Sequence, residues 1–381
     1  MPRYSIVIPT RERADTLRSS LATAMAMEGD DYQVVVQDNA SGPGTRAVVE
    51  SFASPKLVYS RSDTLLPMSE NWEMALKACE GEWIHFIGDD DAMMPQAIAA
   101  LNAVLSGKPE LELIAWDPHS YWWPDCIVPH LRNRLFVKIG DFNSANMVNA
   151  RVLEKDYFEQ SLDWNMLPMV YNSFVHRRLI DRVREKAGSY FPTIAPDIFS
   201  GIANLWAVER FIKLNRPLNM RGTSRHSIGM AQLFPTLGGA VASQFTKEYG
   251  DGRPLHRDLI PSQHSLVLLA NESCLANFLL HDERSDYALS IPKLVAAMLR
   301  SINNTPGTYD ETLSDVKKLI AKHNLDPDQF TIPAKQGITY VARSGPVFDE
   351  KGVVESLCID GDIVGLKNVA DAVRLATAMV Y

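Results

Sequence analysis

Cysteine is scarce, with four in 381 residues at Cys79, Cys126, Cys274 and Cys358. They lie too far apart for a zinc site and are too few for a disulfide framework, so they are expected as ordinary buried thiols in a reducing compartment. Long apolar runs are missing too. No stretch approaches the ~18–20 residues needed to span a bilayer. The start, Met1-Pro2-Arg3-Tyr4-Ser5-Ile6-Val7-Ile8, reads as a strand rather than a signal peptide. Positive charge is in deficit, 38 Lys and Arg against 46 Asp and Glu, for a net −8. That balance argues against a nucleic-acid partner. No Gly-rich phosphate loop falls between Ile6 and Leu17, and no internal repeat or low-complexity tract is present. A cytoplasmic protein is therefore expected, working at the membrane surface where its substrate is lipid-linked. With 46% hydrophobic and 22% charged residues the chain is ordinarily globular, and its length favours two domains.

Short apolar runs alternate with helical spacing through the first third. Strands are expected at 4–9, 34–36, 56–60, 83–87 and 111–116, and helices at 15–27, 45–52, 69–79 (Ser69 as its cap) and 95–105. This alternation predicts an α/β fold with an open, mainly parallel sheet flanked by helices. Beyond Trp116 the pattern fades into an aromatic and proline-rich stretch. A helix is expected from Asp197, with an irregular or strand-like segment from Arg216 to His226. A second, mostly helical region is placed at 241–381, after a catalytic domain at 1–240. It contains helices at 265–280, 291–302, 311–322 and 369–380, and strands at 353–359 and 363–364. Its amphipathic helices need a partner surface, either the first domain or another subunit in a homo-oligomer.

The triplet Asp89-Asp90-Asp91 directly follows the apolar run 83–87. Three adjacent carboxylates repel by ~1 kcal/mol per pair in water and by more in a drier cleft. A hard cation such as Mn²⁺ or Mg²⁺ relieves that repulsion and shares its shell with substrate phosphates. The alternative is that Asp91 caps the helix that follows. Ligands of open α/β sheets bind beyond the carboxyl ends of the strands, where Thr10, Asp38 and the triplet all fall.

Three separate elements, Ser5-Ile6-Val7-Ile8-Pro9-Thr10-Arg11-Glu12-Arg13, Gln37-Asp38-Asn39-Ala40-Ser41, and Asn71-Trp72 with Gly81 to Asp91, make residues 4–235 resemble family 2 glycosyltransferases. The resemblance implies the GT-A fold and a metal-dependent, inverting transfer of sugar. The sugar would pass from a nucleotide-diphosphate donor, UDP or dTDP, to a hydroxyl of a saccharide or lipid-linked saccharide. It implies nucleotide contacts from Pro9, Thr10, Arg11, Arg13, Asp38, Asn71, Asp89 and Asp90. Arginines at a strand end can also fork onto phosphate. It further implies Asp91 as metal ligand, Asp89 on the ribose or in the metal shell, and a late histidine ligand, His226. Many members carry an Asp where this chain has Gly88.

Each residue also has a plainer reading. Arg11 and Arg13 could be a solvated pair, Asp38 an Asx-turn with Ser41, Asn71 a surface helix residue and His226 a loop histidine. Ala195-Pro196-Asp197 resembles the family's base motif with Pro in place of Glu. Asp197 is the expected catalytic base, with Asp163 and Asp156 as alternatives. A capping position would depress its pKa and weaken it as a base, and partial burial beside the acceptor could restore it. Trp122 and Trp123 are expected as a stacking platform for the acceptor sugar, or as packing. A binding module without turnover and a sugar nucleotidyltransferase are the rival functions. The latter begins with the Gly-rich loop that is absent here.

Overall fold

Strand β1 (Tyr4–Thr10) and strand β2 (Tyr32–Asn39) are buried along nearly their whole length. Both are short, continuous apolar runs, as parallel strands covered on both faces must be. Their alternate residues divide between two cores. Ile6, Ile8, Val34 and Val36 join helix α1 (Ala14–Met25) through Leu17, Leu21 and Ala24, while Val7 and Val35 pack with Trp72 and Leu76 of the helix at Met68–Lys77 (α3). Helix α2 (Pro43–Glu50) joins β2 to β3 (Leu57–Ser62). The sheet is completed by β4 (Trp83–Phe86), β10 (Ser173–His176), β6 (Leu113–Trp116), β11 (Arg210–Leu214) and β9 (Ala145–Asn149). Its order is β3-β2-β1-β4-β10-β6-β11-β9, with parallel pairing from β3 to β4 and again at β6·β11. The chain leaves β1 for β2 on one side and returns as β4 on the other. That strand-order switch opens a crevice at their carboxyl ends. The computed structural model describes residues 2–159, 163–234, 236–239, 255–305, 307–337 and 343–380.

A second sheet closes the crevice. It runs β13 (Gly345–Phe348), β14 (Val354–Asp360), β8 (Arg134–Lys138), β7 (His119–Trp122), β12 (Asn219–Thr223) and β5 (Ala92–Met93). The aromatic stretch after Trp116 is therefore partly sheet, and the segment expected as irregular or strand-like before His226 is strand at Asn219–Thr223. The helix at Ala97–Leu105 (α4) follows β5, and α5 (Ala150–Glu159), α6 (Arg177–Ala187) and α7 (Pro196–Ala207) lie against the first sheet.

The expected mostly helical C-terminal region is present. Its helices at Ser265–His281, Ile291–Ser301 and Tyr309–Lys322 share one apolar core with α6 and α7. The expected division at 240 is less simple. Residues 240–254, where it falls, lie outside the described residues. Beyond the helices, β14 pairs antiparallel with β8, and the helix at Val369–Val380 packs against α1 and β5. The segment 345–380 thus belongs to the second sheet's unit rather than to the helical region. Two local expectations are corrected. Residues 361–364 form a helical turn, because the Asp360 side chain accepts from Asp362 N (3.0 Å) and caps it. Pro67, not Ser69, is the N-cap of α3.

Candidate active site

Register places the triplet. Thr10 lies opposite Asp38 on β2, and Val7 opposite Phe86 on β4, so the end of β1 reaches the residues after β4. Thr10 Oγ1 donates to Asp89 Oδ2 (2.7 Å) and Arg13 Nη1 to Asp89 Oδ1 (3.0 Å). Arg13 Nη2 also donates to the His226 carbonyl (2.7 Å), so Arg13 is a tethered, half-buried ion-pair partner and not a solvated residue. Asp90 Oδ2 accepts from both the backbone N–H and the hydroxyl of Ser224 (3.0 and 2.7 Å). Asp91 Oδ2 accepts from Gly88 N (2.7 Å) and Oδ1 from Gly222 N (2.6 Å). Asp91 therefore does not cap α4, whose N-cap is Gln96. All three carboxylates are at most 7% exposed. Burial, then the charge of Asp90, pushes Asp91 up to about 7. Burial, then Asp89, raises Asp90.

Two glycines make this packing feasible. A Cβ on Gly222 would sit 1.7 Å from the Asp90 carbonyl oxygen, and one on Gly88 would sit 3.0 Å from Asp90 Oδ1. The backbone of β12 thus passes directly over the triplet. Trp123 Nε1 donates to the same Asp90 carbonyl (2.9 Å).

The second strand end is equally well tied. Asp38 is fully buried. Oδ1 accepts from Ser41 N (2.9 Å), and Oδ2 accepts from Tyr59 Oη (2.6 Å) and Arg61 Nη1 (3.2 Å). The Asx-turn is therefore real, and it coexists with an ion pair. Glu12 N donates to Ser41 Oγ (2.9 Å) and Glu12 Oε1 accepts from Gly42 N (2.7 Å), which stitches the loop carrying Arg11 and Arg13 to the loop after Asp38. Pro9 and Arg11 are half-buried on either side of Thr10. Asn71 is 4% exposed and accepts from Gln37 Nε2 (3.1 Å), so it is a core residue beneath β2 and not a surface one.

Asp197 is the second residue of α7. Ala195 is the N-cap and Pro196 the first helical residue, a position that suits proline. The depressed pKa expected of a capping Asp is not found. Burial raises it, against the opposing pull of the Ile198 and Asp197 N–H groups and of Arg221. Asp163 caps a helical turn by accepting from Asn165 N (3.0 Å) and is exposed, while Asp156 lies on α5. Four groups invisible to the sequence reading complete this side. Arg221 of β12 lies over the Trp164 ring, 5.3 Å from its centroid, amid Asp91, Asp117 and Asp197. Tyr171 feels Asp197 and the whole triplet, and burial first, then these charges, keeps its phenol protonated. Glu272, on the C-terminal helix 265–281, is fully buried near Asp197. Its carboxyl is pushed up to about 8, chiefly by burial. The alternation of buried Met220 and Gly222 around Arg221 was the one signal that could have marked that residue as facing the cleft.

One expectation is corrected. Trp123 is 7% exposed and packs with Tyr121, and its indole N–H is committed to Asp90, so it is wall and not platform. Trp122, at the end of β7, is half-buried. The Nε2 atom of His226 lies 3.1 Å from Arg225 Nε and 3.4 Å from Asp15 Oδ2.

Among the described residues no preformed set of three ligands is present. The donor chemistry nevertheless suits a hard cation, being oxygen only with two carboxyls raised by burial and then by a neighbouring carboxylate.

The pattern of the family described as Glycosyl transferase family 2 matches residues 5–142. A Haemophilus influenzae protein described as an uncharacterized glycosyltransferase is 24% identical over 110 residues, covering 29% of this chain and 37% of that protein. The GalNAc(5)-diNAcBac-PP-undecaprenol beta-1,3-glucosyltransferase of Campylobacter jejuni is 25% identical over 105 residues, covering 26% and 34%. The matched region spans about a third of each of these relatives. Among solved structures, S. aureus TarS 1–349 superposes over 84% of this chain and 88% of its own, with 16% identity and a TM-score of 0.45. The mannosyltransferase PcManGT of Pyrobaculum calidifontis, solved with GDP-Man and Mn2+, superposes over 84% and 81%, with 15% identity and a TM-score of 0.39. Residues 5–142, which carry the first four strands and the acidic triplet, are thus similar to glycosyl transferase family 2.

Proposed function

We propose that this protein is a metal-dependent, inverting glycosyltransferase that moves a sugar from a nucleoside-diphosphate donor, UDP or dTDP, to a hydroxyl of a saccharide or lipid-linked saccharide. One observation carries the reading. Asp197, a carboxyl whose basicity is raised by burial, and the triplet of buried carboxylates act on the same two side chains, Arg221 and Tyr171. Asp38 and the loop it is stitched to would receive the nucleoside, since a buried carboxylate can accept an imide N–H. Asp91, with Asp89, would hold a Mn²⁺ or Mg²⁺ ion, which when bound offsets charge on the diphosphate. Asp197 takes the proton of the acceptor hydroxyl, a poor nucleophile until then. Its raised pKa makes it a better base than an ordinary aspartate. One base and one in-line attack, with no covalent intermediate, would invert the anomeric centre. Glu154, the buried acid of α5, is occupied by His281 and Arg151 (2.9 and 3.3 Å) and leaves this assignment intact.

The test is slow release of nucleoside diphosphate from UDP- and dTDP-sugars in Mn²⁺ without acceptor. The wild type releases it, Asp91→Ala does not, and Asp197→Asn binds the donor but neither hydrolyses nor transfers it. Donor binding with no release at any metal level would leave a binding module. Undiminished transfer by Asp197→Asn would remove it as the base.

A further inference from the structure

We propose that Arg221 is the anion-binding residue of the cleft, taking phosphoryl oxygens of the donor's diphosphate. This rests on the function proposed above.

Its position is fixed by the backbone. The flanking residue Met220 is buried in the second sheet and paired with Ala92, and Gly222 N holds Asp91. Neighbours in a strand point to opposite faces, so Arg221 projects away from Met220 and Gly222, toward Trp164 and Asp197. The indole of Trp164 supports the guanidinium face.

Three acids surround this cation, yet among the described residues it forms no ion pair and no side-chain hydrogen bond. Each acid is held elsewhere. Asp91 is held by two backbone N–H groups, Asp117 by Lys213 (3.0 Å), and Asp197 by the N–H groups of the first turn of α7. Arg13 makes the contrast, since its guanidinium is spent on Asp89 and a carbonyl. A guanidinium has five donors in a rigid fork. The side chain is half-buried, so the fork stays open to a ligand's oxygens. The adjoining Gly222 N–H holds Asp91 Oδ1 (2.6 Å), so Arg221 stands one residue from the strand's contact with the triplet.

The experiment is calorimetric titration in Mn²⁺ of UDP, dTDP, GDP and their parent nucleosides into wild type, Arg221→Met and Arg221→Lys, with melting temperatures recorded. Arg221→Met should weaken the preferred diphosphate at least tenfold and leave its nucleoside unchanged. Arg221→Lys should recover part of the loss, because a point charge replaces the fork. Equal diphosphate affinity in a folded Arg221→Met overturns this inference alone. So does a loss confined to a phosphate-bearing acceptor. If Arg221→Met does not fold, an Arg221→Lys protein with wild-type diphosphate affinity is the refuting result. Failure of the wild type to bind any of the three diphosphates overturns the proposed function and this inference with it.

Discussion

Glu272 offers a stringent test of the electrostatics behind the candidate base. It lies on helix 265–281, fully buried, and neither carboxyl oxygen has a hydrogen bond of normal geometry among the described residues. Burial pushes it up to about 8, with the charge of Asp197 adding to the rise and Thr193 and the Ala195 backbone opposing it. The folded protein therefore holds this carboxyl protonated at neutral pH, whereas the unfolded chain ionises it near its ordinary value of 4.5. A group raised on folding contributes stability that is fully present below the unfolded pKa and is lost as pH climbs through the folded one. At 1.36 kcal/mol per unit the lost contribution is ~1 kcal/mol at pH 5 and ~3 kcal/mol at pH 7, levelling near ~5 kcal/mol above pH 9. Glu272→Gln carries no such dependence and is nearly isosteric. Its stability relative to wild type should therefore rise with pH along that curve. Urea denaturation of both proteins at half-unit steps from pH 5 to 9 reads it directly. Because Glu272 is already neutral at pH 7, the variant should also keep its transfer rate there. Stability curves for the two proteins that run parallel across the range would refute the reasoning.

Gly222→Ala should be among the least tolerated substitutions in the molecule. Its Cβ would lie 1.7 Å from the Asp90 carbonyl oxygen, a backbone atom that no rotamer change can move. A loss of ~3 kcal/mol or more is expected, or a displaced triplet that no longer takes Mn²⁺, seen as a lower melting temperature and as loss of the metal-dependent shift. Trp123→Phe keeps the buried ring but removes the N–H that holds the Asp90 carbonyl. It should cost ~1 kcal/mol in urea denaturation and leave acceptor KM unchanged. A raised KM with unaltered stability would restore the acceptor-platform reading of that tryptophan.

What was legible in the sequence follows from local physics. Runs such as Tyr32–Asn39 and helices such as Ala14–Met25 declare themselves by period, and the order switch at β1 makes their ends meet, so Thr10, Asp38 and the triplet were found together. The other wall was not legible, because it depends on pairing between distant segments. Residues 219–223 carry Asn, Arg and Gly and hardly look like a strand. They become one because β7 and β5 offer ladders on both sides. The same pairing brings Arg221 and Ser224 to the triplet and turns Trp123 inward. Asp197 was legible at the head of its helix, but not which of capping and burial would set its pKa. Capping is a property of sequence position, whereas burial by Glu272 and its helix is not.

The strand ladder between residues 354–360 and 134–138, and the contact of helix 369–380 with helix 14–25, bind segments about 220 and about 350 positions apart. During synthesis at ~5–20 residues per second, helix 14–25 waits tens of seconds for that partner. For that interval the apolar faces of Ala92, Tyr121 and Leu135, which later meet Val369, Val373 and Ala376, stand open on the nascent chain. Refolding from denaturant should be slow for the same topological reason, since so much order depends on closing one very long loop.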